Sequence, residues 1–570
     1  MPDVTSGPGP LLDAARAWIA GDPDPATRAD LSALVHPLAD RADPAFALHT
    51  PAHRRAYAEL AERMHPLRFG TAGLRGPVRA GPNGMNVAVV RRTTAGLAGW
   101  LVEQGRAGGT VVVGRDARHG SEAFAAACAG VLAAAGFDVR TLPGPLPTPV
   151  LAYAVRALPA VAGVQITASH NPASDNGYKV YLGFGDHGGA QLVAPADAEI
   201  EAAIAAAPPA GAVPVLDGAG RPYDPLPGYL ARIARLPRGP GANRLRIALT
   251  PLHGVGGAVA VRALRAAGFP DVHLVADQAE PDPDFPTVVS PNPEDPSATG
   301  ALLALAARIG ADLAVALDPD ADRCAIGVPD DAADDDAADG WRMLTGDEVG
   351  ALLGEHLLAT GAYGCAEQSR SLPGAESPLV ASTAVSSSLL AKIAAARGAR
   401  HVETLTGFKW IVRAGPGLVY GYEEAIGYCV DPDAVRDKDG IAAAVLVADL
   451  VATGGPLTAA LDDLAVRHGV HLTAARRWAL TRAAASTALD RVASASRGGS
   501  VERPAPDLVI RRAPGYRVAV RPSGTEPVLK GYLEVVEPVA GRADLPAATE
   551  RARRRLAMLE VELTRLIEPR

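Results

Sequence analysis

The segment ADLAVALDPDADR at residues 311–323 joins a short apolar run to three aspartates at alternate positions. The run LAVAL has the length and composition of a buried β-strand, and the acidic stretch after it has the composition of a loop. Because ligands of open α/β sheets gather at the carboxyl ends of strands, this segment predicts a layered fold with a polar site at the edge of a sheet.

Four further segments show the same pattern of an apolar strand that runs directly into polar, Gly- or Pro-containing residues. They are TVVVGRDAR at 110–118, VAGVQITASHNP at 161–172, LRIALTPLHG at 245–254 and LVYGYEEAIG at 418–427. Alanine-rich stretches with helical periodicity lie between them. This alternation predicts an α/β fold with largely parallel strands.

The C-terminal part has closely spaced strand patterns, DLVIRR, YRVAV and VLKGYLEVV, before a charged helical stretch at 543–566, which is typical of an α+β unit. At roughly 150 residues per domain, 570 residues predict about four domains. Polar connectors near 205–228, near 340 and at 452–475 suggest the cuts. The predicted units are 1–225, 226–342, 343–470 and 471–570. The first 60 residues show a helical pattern without evident chemistry, and the acidic tract at 330–339 is interpreted as the solvated tip of a hairpin.

Composition excludes several classes of protein. A formal net charge of -8 lacks the basic excess of a nucleic-acid-binding domain, and 48% hydrophobic residues are too many for a largely disordered chain. Four scattered cysteines without a C-x-x-C pair argue against a zinc ribbon or a disulfide framework and favour a reducing compartment. The longest apolar run, near 441–454, is interrupted by Asp449, so we expect a cytoplasmic protein without a membrane or nucleic-acid partner.

Lysine is rare in this chain, since only five of the 55 basic residues are lysines. A chain that uses arginine almost everywhere is expected to keep lysine where a compact ammonium group has a function. None of the five lies in a G-x-x-x-x-G-K-[ST] motif, which excludes a P-loop nucleotide site. The five are Lys179, Lys392, Lys409, Lys438 and Lys530.

The segment TASHNP at 167–172 contains Ser169 and His170 directly after a predicted strand. A structural turn is one interpretation, because Asn-Pro often opens turns. The continuation ASDNGYK favours catalysis, because it places Lys179 ten residues beyond a serine that needs a base or a cation to become a nucleophile.

The segment DPDADR places Asp318, Asp320 and Asp322 where their carboxylates can converge on one hard cation such as Mg²⁺. An EF-hand is excluded, because the sixth position is Arg323 and the twelfth is Pro329. A phosphatase with Asp318 as nucleophile, and a purely structural Asp-rich turn, both stay open at this point.

Two loops carry the elements of anion recognition. RPSGTEP at 521–527 combines a guanidinium, two hydroxyls and a glycine turn with free backbone N–H groups, which suits a phosphate. GTAGLRGP at 70–77 presents Arg75 in a glycine-rich loop. A third segment, YGYEEAIGY at 420–428, places the adjacent carboxylates of Glu423 and Glu424 at a strand end, where they can accept hydrogen bonds from sugar hydroxyls or serve as acid and base. Each of these segments alone is also compatible with an exposed turn.

Taken in order, GTAGLRG, TASHNP with NGYK, DPDADR, GYEEAIG and RPSGTEP resemble the α-D-phosphohexomutase superfamily over residues 70 to about 525. Five ordered motifs with strand context form a specific signal, although each alone is weak. The resemblance implies three similar α/β domains with mixed, largely parallel sheets and a C-terminal α+β domain around a central cleft.

The resemblance also implies roles for residues. Ser169 would carry the phosphoryl group, and Asp318, Asp320 and Asp322 would bind one Mg²⁺ together with a phosphoserine oxygen of Ser169. The residues implied to line the reaction centre are Arg75, His170 and Lys179. The residues implied to bind substrate are Arg323, Lys409, Glu423, Glu424, Arg521, Ser523, Gly524 and Thr525.

The implied reaction moves a phosphoryl group between C1 and C6 of a hexose phosphate, with glucose 1-phosphate as the expected substrate and glucose 1,6-bisphosphate as intermediate and activator. Ala425 follows Glu424 where many hexose-specific members have a serine, so one hydroxyl contact is missing. The motifs EEAIGY and GTAGLRG resemble the phosphoglucomutase-2 and phosphopentomutase-type subgroup, so mannose and pentose phosphates are alternative substrates. A metal-dependent sugar phosphatase and a non-catalytic sugar-phosphate-binding protein are remote alternatives. We expect sugar phosphates as partners and a monomer or homodimer.

Overall fold

The computed structural model describes most of the chain. The described residues are 8–39, 50–68, 73–185, 188–237, 244–330, 340–361, 377–495, 499–523 and 528–568. Four β-sheets organise these residues in chain order, and the helical pattern predicted for the N-terminal residues corresponds to three helices that form a small apolar cluster of their own. Those helices are α1 (Pro8–Gly21), α2 (Pro25–Ala39) and α3 (Pro51–Arg63).

The first sheet has seven strands in the order β1-β5-β4-β2-β3-β7, with β6 paired to β5. Its elements are β1 (Leu74–Pro77), α4 (Val87–Glu103), β2 (Thr110–Arg115), α5 (Ser121–Ala134), β3 (Asp138–Pro145), α6 (Thr148–Ala157), β4 (Ala162–Ile166), β5 (Asp175–Leu182), β6 (Ala190–Gln191), α7 (Ala196–Ala206) and β7 (Arg221–Pro222). Strand β2 is parallel to β3 and β4, whereas β5 is antiparallel to β4 and β1. The sheet is therefore mixed, as predicted.

The second sheet has five strands in the order β12-β11-β10-β8-β9. Its elements are α8 (Leu226–Ile233), β8 (Ile247–Thr250), α9 (Gly257–Ala266), β9 (Val272–Leu274), α10 (Pro296–Ile309), β10 (Leu313–Leu317), β11 (Cys324–Pro329) and β12 (Trp341–Met343). Strand β10 is parallel to β8 and antiparallel to β11, so the aspartate segment is the turn between β10 and β11. Strands β11 and β12 form the hairpin predicted around the acidic tract, whose residues 331–339 lie outside the described residues.

The third sheet has the order β14-β13-β15-β16. Its elements are α11 (Gly346–Thr360), β13 (Leu379–Thr383), α12 (Leu389–Ala396), β14 (Arg400–Thr404), α13 (Phe408–Ile411), β15 (Leu418–Glu423), β16 (Gly427–Cys429), α14 (Gly440–Gly454) and α15 (Leu457–His468). Strands β14, β13 and β15 are parallel, so their carboxyl ends lie at the same edge of the sheet.

The fourth sheet is antiparallel, in the order β17-β21-β20-β19-β18. Its elements are β17 (Val470–Ala479), α16 (Arg482–Ser494), β18 (Ser500–Ala505), β19 (Leu508–Ala513), β20 (Tyr516–Pro522), β21 (Val528–Glu537) and α17 (Leu545–Ile567). Helices α16 and α17 cover one face of this sheet. The α+β pattern of the C-terminal part is therefore confirmed.

The interpretation of 452–475 as a polar connector is wrong, because helix α15 and the start of strand β17 occupy this stretch. The Gly-Gly-Pro sequence at 454–456 marks only the sharp turn before α15. Leu457 and Leu464 anchor that helix in the core, although the rest of its surface is polar enough to resemble a loop. The predicted boundaries between the four units stay predictions.

The largest apolar core is shared by several units. Helix α14 follows the third sheet in sequence, yet it packs against α9 and against β10 and β11 of the second sheet. Its residues from Gly440 to Leu450 are all buried, and the carboxylate of Asp449 lies 3.0 Å from Nε2 of His356. Among the described residues, no single helix is apolar and long enough to cross a membrane. Only α14 and α15 taken together meet that criterion, and they are bent by 80° to each other.

Gly440 allows the first turn of α14 to approach the aspartate loop closely. A Cβ atom at this position would lie 2.4 Å from the carbonyl oxygen of Arg323 and 3.0 Å from that of Ala321. The helix starts here because the Asp439 side chain accepts a hydrogen bond from the N–H of Ala442. The backbone of the second unit thus excludes any larger residue at the start of α14.

We expect Gly440→Ala to destabilise the protein by about 1–3 kcal/mol, because the added methyl group meets backbone atoms that cannot rotate away. Gly454→Ala at the other end of the same helix is the matched control, because a Cβ there meets nothing within 4 Å. The control should be neutral or stabilising by up to about 1 kcal/mol, since alanine is the better helix former. Urea denaturation of both variants measures the difference, and equal stabilities would contradict the close approach.

Candidate active site

The loops after β4 and β10 meet between the first and second sheets. The hydroxyl of Ser169 donates a hydrogen bond of 2.6 Å to Oδ2 of Asp318, and both side chains are buried. Both residues follow the carboxyl end of a parallel strand, which is where the sequence predicts a site. The predicted nucleophile and the predicted metal loop are therefore in direct contact.

Ser169 has a backbone conformation that few serines adopt. Its φ is 53°, in the left-handed region, and its N–H donates a 3.0 Å hydrogen bond to Oγ1 of Thr167. The ring nitrogen Nδ1 of His170 lies 3.2 Å from the Ser169 hydroxyl. Burial, and the nearby guanidinium groups of Arg323 and Arg75, hold the pKa of His170 well below its usual range, so its imidazole is neutral at neutral pH.

Asp318, Asp320 and Asp322 are completely or almost completely buried, and each offers a carboxylate oxygen within 4.8 Å of the others. Atoms Oδ1 of Asp320 and of Asp322 are buried and have no hydrogen-bond partner among the described residues. Buried carboxylate oxygens without a partner are costly unless a cation is close to them. This group fits a hard divalent cation that prefers oxygen ligands.

Two of the rare lysines lie against these carboxylates. Nζ of Lys179 lies 2.6 Å from Asp320 and 2.8 Å from Asp322, and Nζ of Lys438 lies 3.2 Å from Asp322. Burial alone would lower the pKa of Lys179, but the carboxylates outweigh it and the pKa is raised. Although burial opposes ionisation of Asp322, the charges of Lys179 and Lys438 lower its pKa, so this carboxylate is ionised.

Arg323 connects the aspartate loop to the third unit. Its guanidinium donates a hydrogen bond of 3.0 Å to the carbonyl of Ala425 and one of 3.3 Å to Oε1 of Glu423. The carboxylate of Glu294 lies 3.8 Å from the same guanidinium. Glu423 therefore lies beside the aspartate loop, and its role in substrate binding stays a prediction.

The adjacent Glu424 points elsewhere. Its carboxylate accepts hydrogen bonds of 3.0 Å from Thr383 and 3.2 Å from Ser386 within the third unit. Lys409 lies on α13, with Nζ 5.8 Å from the centre of the Trp410 ring, and in the described part of the chain no hydrogen bond joins it to the aspartates. The structure thus joins Glu423, but neither Glu424 nor Lys409, directly to this centre.

Arg75, on strand β1, contacts the Ser169 loop. Its guanidinium donates to the carbonyl of Ala168 at 3.3 Å and to Oδ1 of Asn171 at 3.0 Å. The charges of the three aspartates raise its pKa, but burial outweighs them and lowers it. Arg75 therefore lies beside the predicted nucleophile, in agreement with the sequence-based expectation.

The fourth unit contributes a row of three cations. Arg477, Lys530 and Arg521 lie directly opposite one another on β17, β21 and β20, and we call them the cation row. The row shares a face of the sheet with Tyr532, whose ring packs near Ala384 and Val385 of the third unit. This face therefore points away from α16 and α17 and toward the other units.

The rest of the predicted phosphate loop is only partly described. Ser523 is half-buried, and its N–H donates to the carbonyl of Val528 at 2.7 Å, whereas Gly524 and Thr525 lie outside the described residues. Nε of Arg521 is buried and without a hydrogen-bond partner among the described residues. Lys530 and Arg477 act electrostatically on Glu294, where their charges lower a pKa that desolvation raises. Glu294, which also lies 3.8 Å from the guanidinium of Arg323, is thus near the cation row as well as near the aspartate loop.

Sequence reasoning did not assign three residues that contact the site. Lys438 could have been recognised from the scarcity of lysine, and Arg118 lies in the quoted segment GRDAR, where its role depends on a distant loop. No sequence pattern pointed to Glu294, because it lies in the polar segment SPNPEDP, which has the composition of an exposed loop.

Comparisons with known proteins agree with this architecture. Three family models match: "Phosphoglucomutase/phosphomannomutase, alpha/beta/alpha domain I" at residues 66–210, domain II at 228–331 and domain III at 345–467. Together these ranges cover more than half of the chain. The chain belongs to the phosphoglucomutase/phosphomannomutase family, within the α-D-phosphohexomutase superfamily that its motifs resemble.

Relatives of known name include several mutases. A Haemophilus influenzae protein named "Probable phosphomannomutase" is 39% identical over 472 residues, 79% of this chain and 93% of that protein. The phosphopentomutase of Mus musculus is 35% identical over 442 residues, 72% of this chain and 68% of that protein. A solved structure of a phosphomannomutase-like protein from Thermus thermophilus is 26% identical, covers 87% of this chain and all of that one, and has a TM-score of 0.65. The chain is therefore an enzyme, a phosphosugar mutase of the isomerase class.

We expect Asp320→Asn to weaken divalent-cation binding by more than about 100-fold, because even residues that only support metal ligands contribute about 10–100-fold. Isothermal titration calorimetry with Mg²⁺, and electron paramagnetic resonance with Mn²⁺, measure the affinity and should give one site per chain. Asp347→Asn is the matched control, since Asp347 is also buried but accepts hydrogen bonds from Ser387 and Tyr422. Unchanged affinity in Asp320→Asn would exclude the aspartate group as the metal site.

Proposed function

We propose that the chain interconverts glucose 1-phosphate and glucose 6-phosphate, with Ser169 as the phosphoryl carrier and glucose 1,6-bisphosphate as intermediate and activator. The observation that carries this proposal is the 2.6 Å contact between the Ser169 hydroxyl and Asp318, beside two further buried aspartates. A serine in this position can accept a phosphoryl group next to a divalent cation. Each half-reaction is then a phosphoryl transfer, and no phosphate is lost to water.

Mg²⁺ is the cation that we propose for this site. Oxygen atoms of Asp318, Asp320 and Asp322 would hold it, together with an oxygen of phosphorylated Ser169. When bound, Mg²⁺ supplies Lewis-acid stabilisation of the charge on the transferring phosphoryl oxygens. The buried Oδ1 atoms of Asp320 and Asp322, which accept no hydrogen bond from the described residues, support this assignment.

The protein's own cations provide the rest of the charge balance. Against the effect of burial, Lys179 lowers the pKa of Asp320 and of Asp322, and Lys438 also lowers that of Asp322, so these two carboxylates can bind a cation without first losing a proton. Burial raises the pKa of Asp318, so a cation binding there would displace a proton. Arg75 donates hydrogen bonds to Ala168 and Asn171 on either side of Ser169, so it is positioned to contact a phosphoryl group on that serine. The neutral imidazole of His170, 3.2 Å from the Ser169 hydroxyl, is positioned to exchange a proton with that oxygen.

Glu423 is the proposed acceptor for sugar hydroxyls. Its carboxylate is oriented by Arg323 at 3.3 Å and lies at the end of β15, beside the aspartate loop. Because Glu424 is engaged by Thr383 and Ser386, only one of the adjacent carboxylates is available to a sugar at this centre.

The cation row is the proposed binding site for the phosphate that is not being transferred. Three cations directly opposite one another form a positively charged patch on this face of the sheet, and a phosphate dianion is the kind of ligand that such a patch attracts. Arg521 and Ser523 begin the loop predicted to cradle this phosphate, and Gly524 and Thr525 are proposed to complete it. Lys530 and Arg477 extend the predicted set of substrate-binding residues.

A pentose phosphate is the second candidate substrate. Ala425 lacks the hydroxyl that many hexose-specific relatives place after the second glutamate, so this loop offers fewer contacts to distinguish sugars. Similarity to proteins named phosphopentomutase and phosphoribomutase supports this alternative. A cytoplasmic location stays a prediction from composition, and a monomeric or homodimeric state stays an expectation.

We expect Ser169→Ala to abolish turnover, because Ser169 is the proposed carrier of the phosphoryl group between the two positions. The measurement is a ³¹P NMR time course with Mg²⁺, a trace of glucose 1,6-bisphosphate, and glucose, mannose and ribose 1-phosphates supplied together to the wild-type enzyme and the variant. In the wild type, 1-phosphate signals should convert to 6-phosphate or 5-phosphate signals without growth of free phosphate. Relative rates identify the preferred sugar. Free phosphate as the main product would indicate a phosphatase and contradict the proposal.

Lys530→Met should raise the KM for the sugar phosphate by about 10-fold to 100-fold, the size expected for one lost charge-assisted hydrogen bond. Lys392→Met is the control, because Lys392 is bonded to the carbonyl of His468 at 3.0 Å on the outside of the third unit. Steady-state kinetics of both variants test the assignment. An unchanged KM in Lys530→Met would place the second phosphate elsewhere.

A further inference from the structure

Arg118 binds the backbone of the nucleophile loop at four points. Its Nη2 donates to the carbonyls of Ser169 and Asn171, both at 2.6 Å, and its Nη1 donates to those of Pro172 at 2.8 Å and Asp175 at 3.0 Å. One guanidinium thus holds both ends of the turn that carries Ser169. The two nitrogens are fixed relative to each other by the planar group, so they also fix the distance between the two pairs of carbonyls.

The Ser169 loop needs such support because its conformation is unfavourable without it. A serine at φ 53° has its Cβ close to its own carbonyl, and such residues persist only where the surroundings hold them. The contacts of Arg118 are made to carbonyl oxygens of the loop, including that of Ser169 itself. They therefore act on the backbone that directs the Ser169 hydroxyl toward Asp318.

The position of Arg118 is itself well defined. Its side chain is 1% exposed, and its Nε lies 3.6 Å from Oδ2 of Asp116. Asp116 in turn accepts a hydrogen bond of 3.0 Å from the Arg118 N–H and one of 2.6 Å from the Ser121 hydroxyl at the start of α5. The charge of Arg118 is therefore buried with a fixed counter-charge, in a loop anchored between β2 and α5.

The second unit covers the outer face of this guanidinium. Its centre lies 4.9 Å from the centre of the Phe285 ring, and the neighbouring His119 contacts Asp284 at 2.7 Å. Phe285 and Asp284 belong to the same polypeptide segment, between β9 and α10, that carries Glu294. The nucleophile loop of the first unit is thus linked through Arg118 to the second unit.

We propose that Arg118 is a positioning residue, which holds Ser169 in its left-handed conformation and makes that conformation depend on the contact with the second unit. The inference rests on the proposed function of Ser169 as phosphoryl carrier. Arg118 does not touch the hydroxyl or the aspartates directly, so it acts through the backbone of the Ser169 loop. Without the guanidinium of Arg118, the metal ligands stay in place but the Ser169 hydroxyl no longer points toward Asp318.

Arg118→Lys is the decisive variant, because an ammonium keeps the charge but cannot span two pairs of carbonyls. We expect kcat to fall by at least about 100-fold, the effect of a misplaced reacting group, with KM for the sugar phosphate little changed. Arg106→Lys is the matched control, since Arg106 also lies over an aromatic ring, at 4.4 Å from Phe184, but outside the loop. A wild-type kcat in Arg118→Lys, or a loss expressed mainly in KM, would overturn the proposal.

Hydrogen–deuterium exchange measured by mass spectrometry gives a second readout that does not need turnover. Amide exchange in peptides covering 168–178 should accelerate in Arg118→Lys and stay unchanged in Arg106→Lys. If the wild-type enzyme lacked mutase activity, the proposed function would fail, yet this result would still test the loop. Unchanged exchange in that region of Arg118→Lys would overturn the positioning role.

Phe285→Leu tests the link to the second unit and remains informative if Arg118→Lys does not fold. Leucine keeps an apolar side chain of similar size but removes the aromatic face over the guanidinium. We expect a smaller fall in kcat than in Arg118→Lys, again with KM little changed. A wild-type kcat in Phe285→Leu would show that Arg118 acts without the second unit and would overturn that part of the proposal.

Discussion

Three buried carboxylates that lie side by side are the constraint on which the rest of this structure depends. Asp318, Asp320 and Asp322 repel one another, and burial removes the water that would otherwise screen them. Against the effect of burial, Lys179 from the first unit lowers the pKa of Asp320 and of Asp322, and Lys438 from the third unit also lowers that of Asp322. Burial and the two neighbouring carboxylates instead raise the pKa of Asp318 well above its usual range. The negative charge of one loop is therefore balanced by side chains that come from two other units.

The same aspartates explain the positions of two of the five lysines, Lys179 and Lys438, in a chain that otherwise uses arginine. An ammonium group is compact enough for Nζ of Lys179 to contact two carboxylates at 2.6 and 2.8 Å while remaining 1% exposed. Arginine occurs where a planar group with several N–H donors contacts more than one acceptor. Arg323 contacts both a carbonyl and a carboxylate of the third unit, and Arg118 spans the carbonyls of the Ser169 loop. Each cation type thus occupies the geometry that suits it.

Much of the fold and of the candidate site could be predicted from sequence because the relevant signals are local. Apolar runs followed by polar segments predicted the strands that carry Ser169 and Asp318, and the structure has both. Strand β17 was missed because most of its residues are half-buried or exposed, so it has no apolar pattern. Its backbone hydrogen bonds are made to β21, which lies far along the chain. Glu424 was grouped with Glu423 because adjacent residues cannot be separated by pattern, whereas successive positions at a strand end point in different directions.

The sequence by itself determined which chemical groups are available: a serine after a strand, three aspartates at alternate positions, a few lysines and a loop with the composition of a phosphate-binding loop. These follow from residue identity and from spacings of a few residues, which set the local backbone. Only the tertiary structure decided which groups meet. Ser169 and Asp318 are 149 residues apart, and Arg118 reaches carbonyls more than 50 residues away. Such contacts depend on how sheets from different units pack around shared core helices such as α14, and no local pattern records that packing.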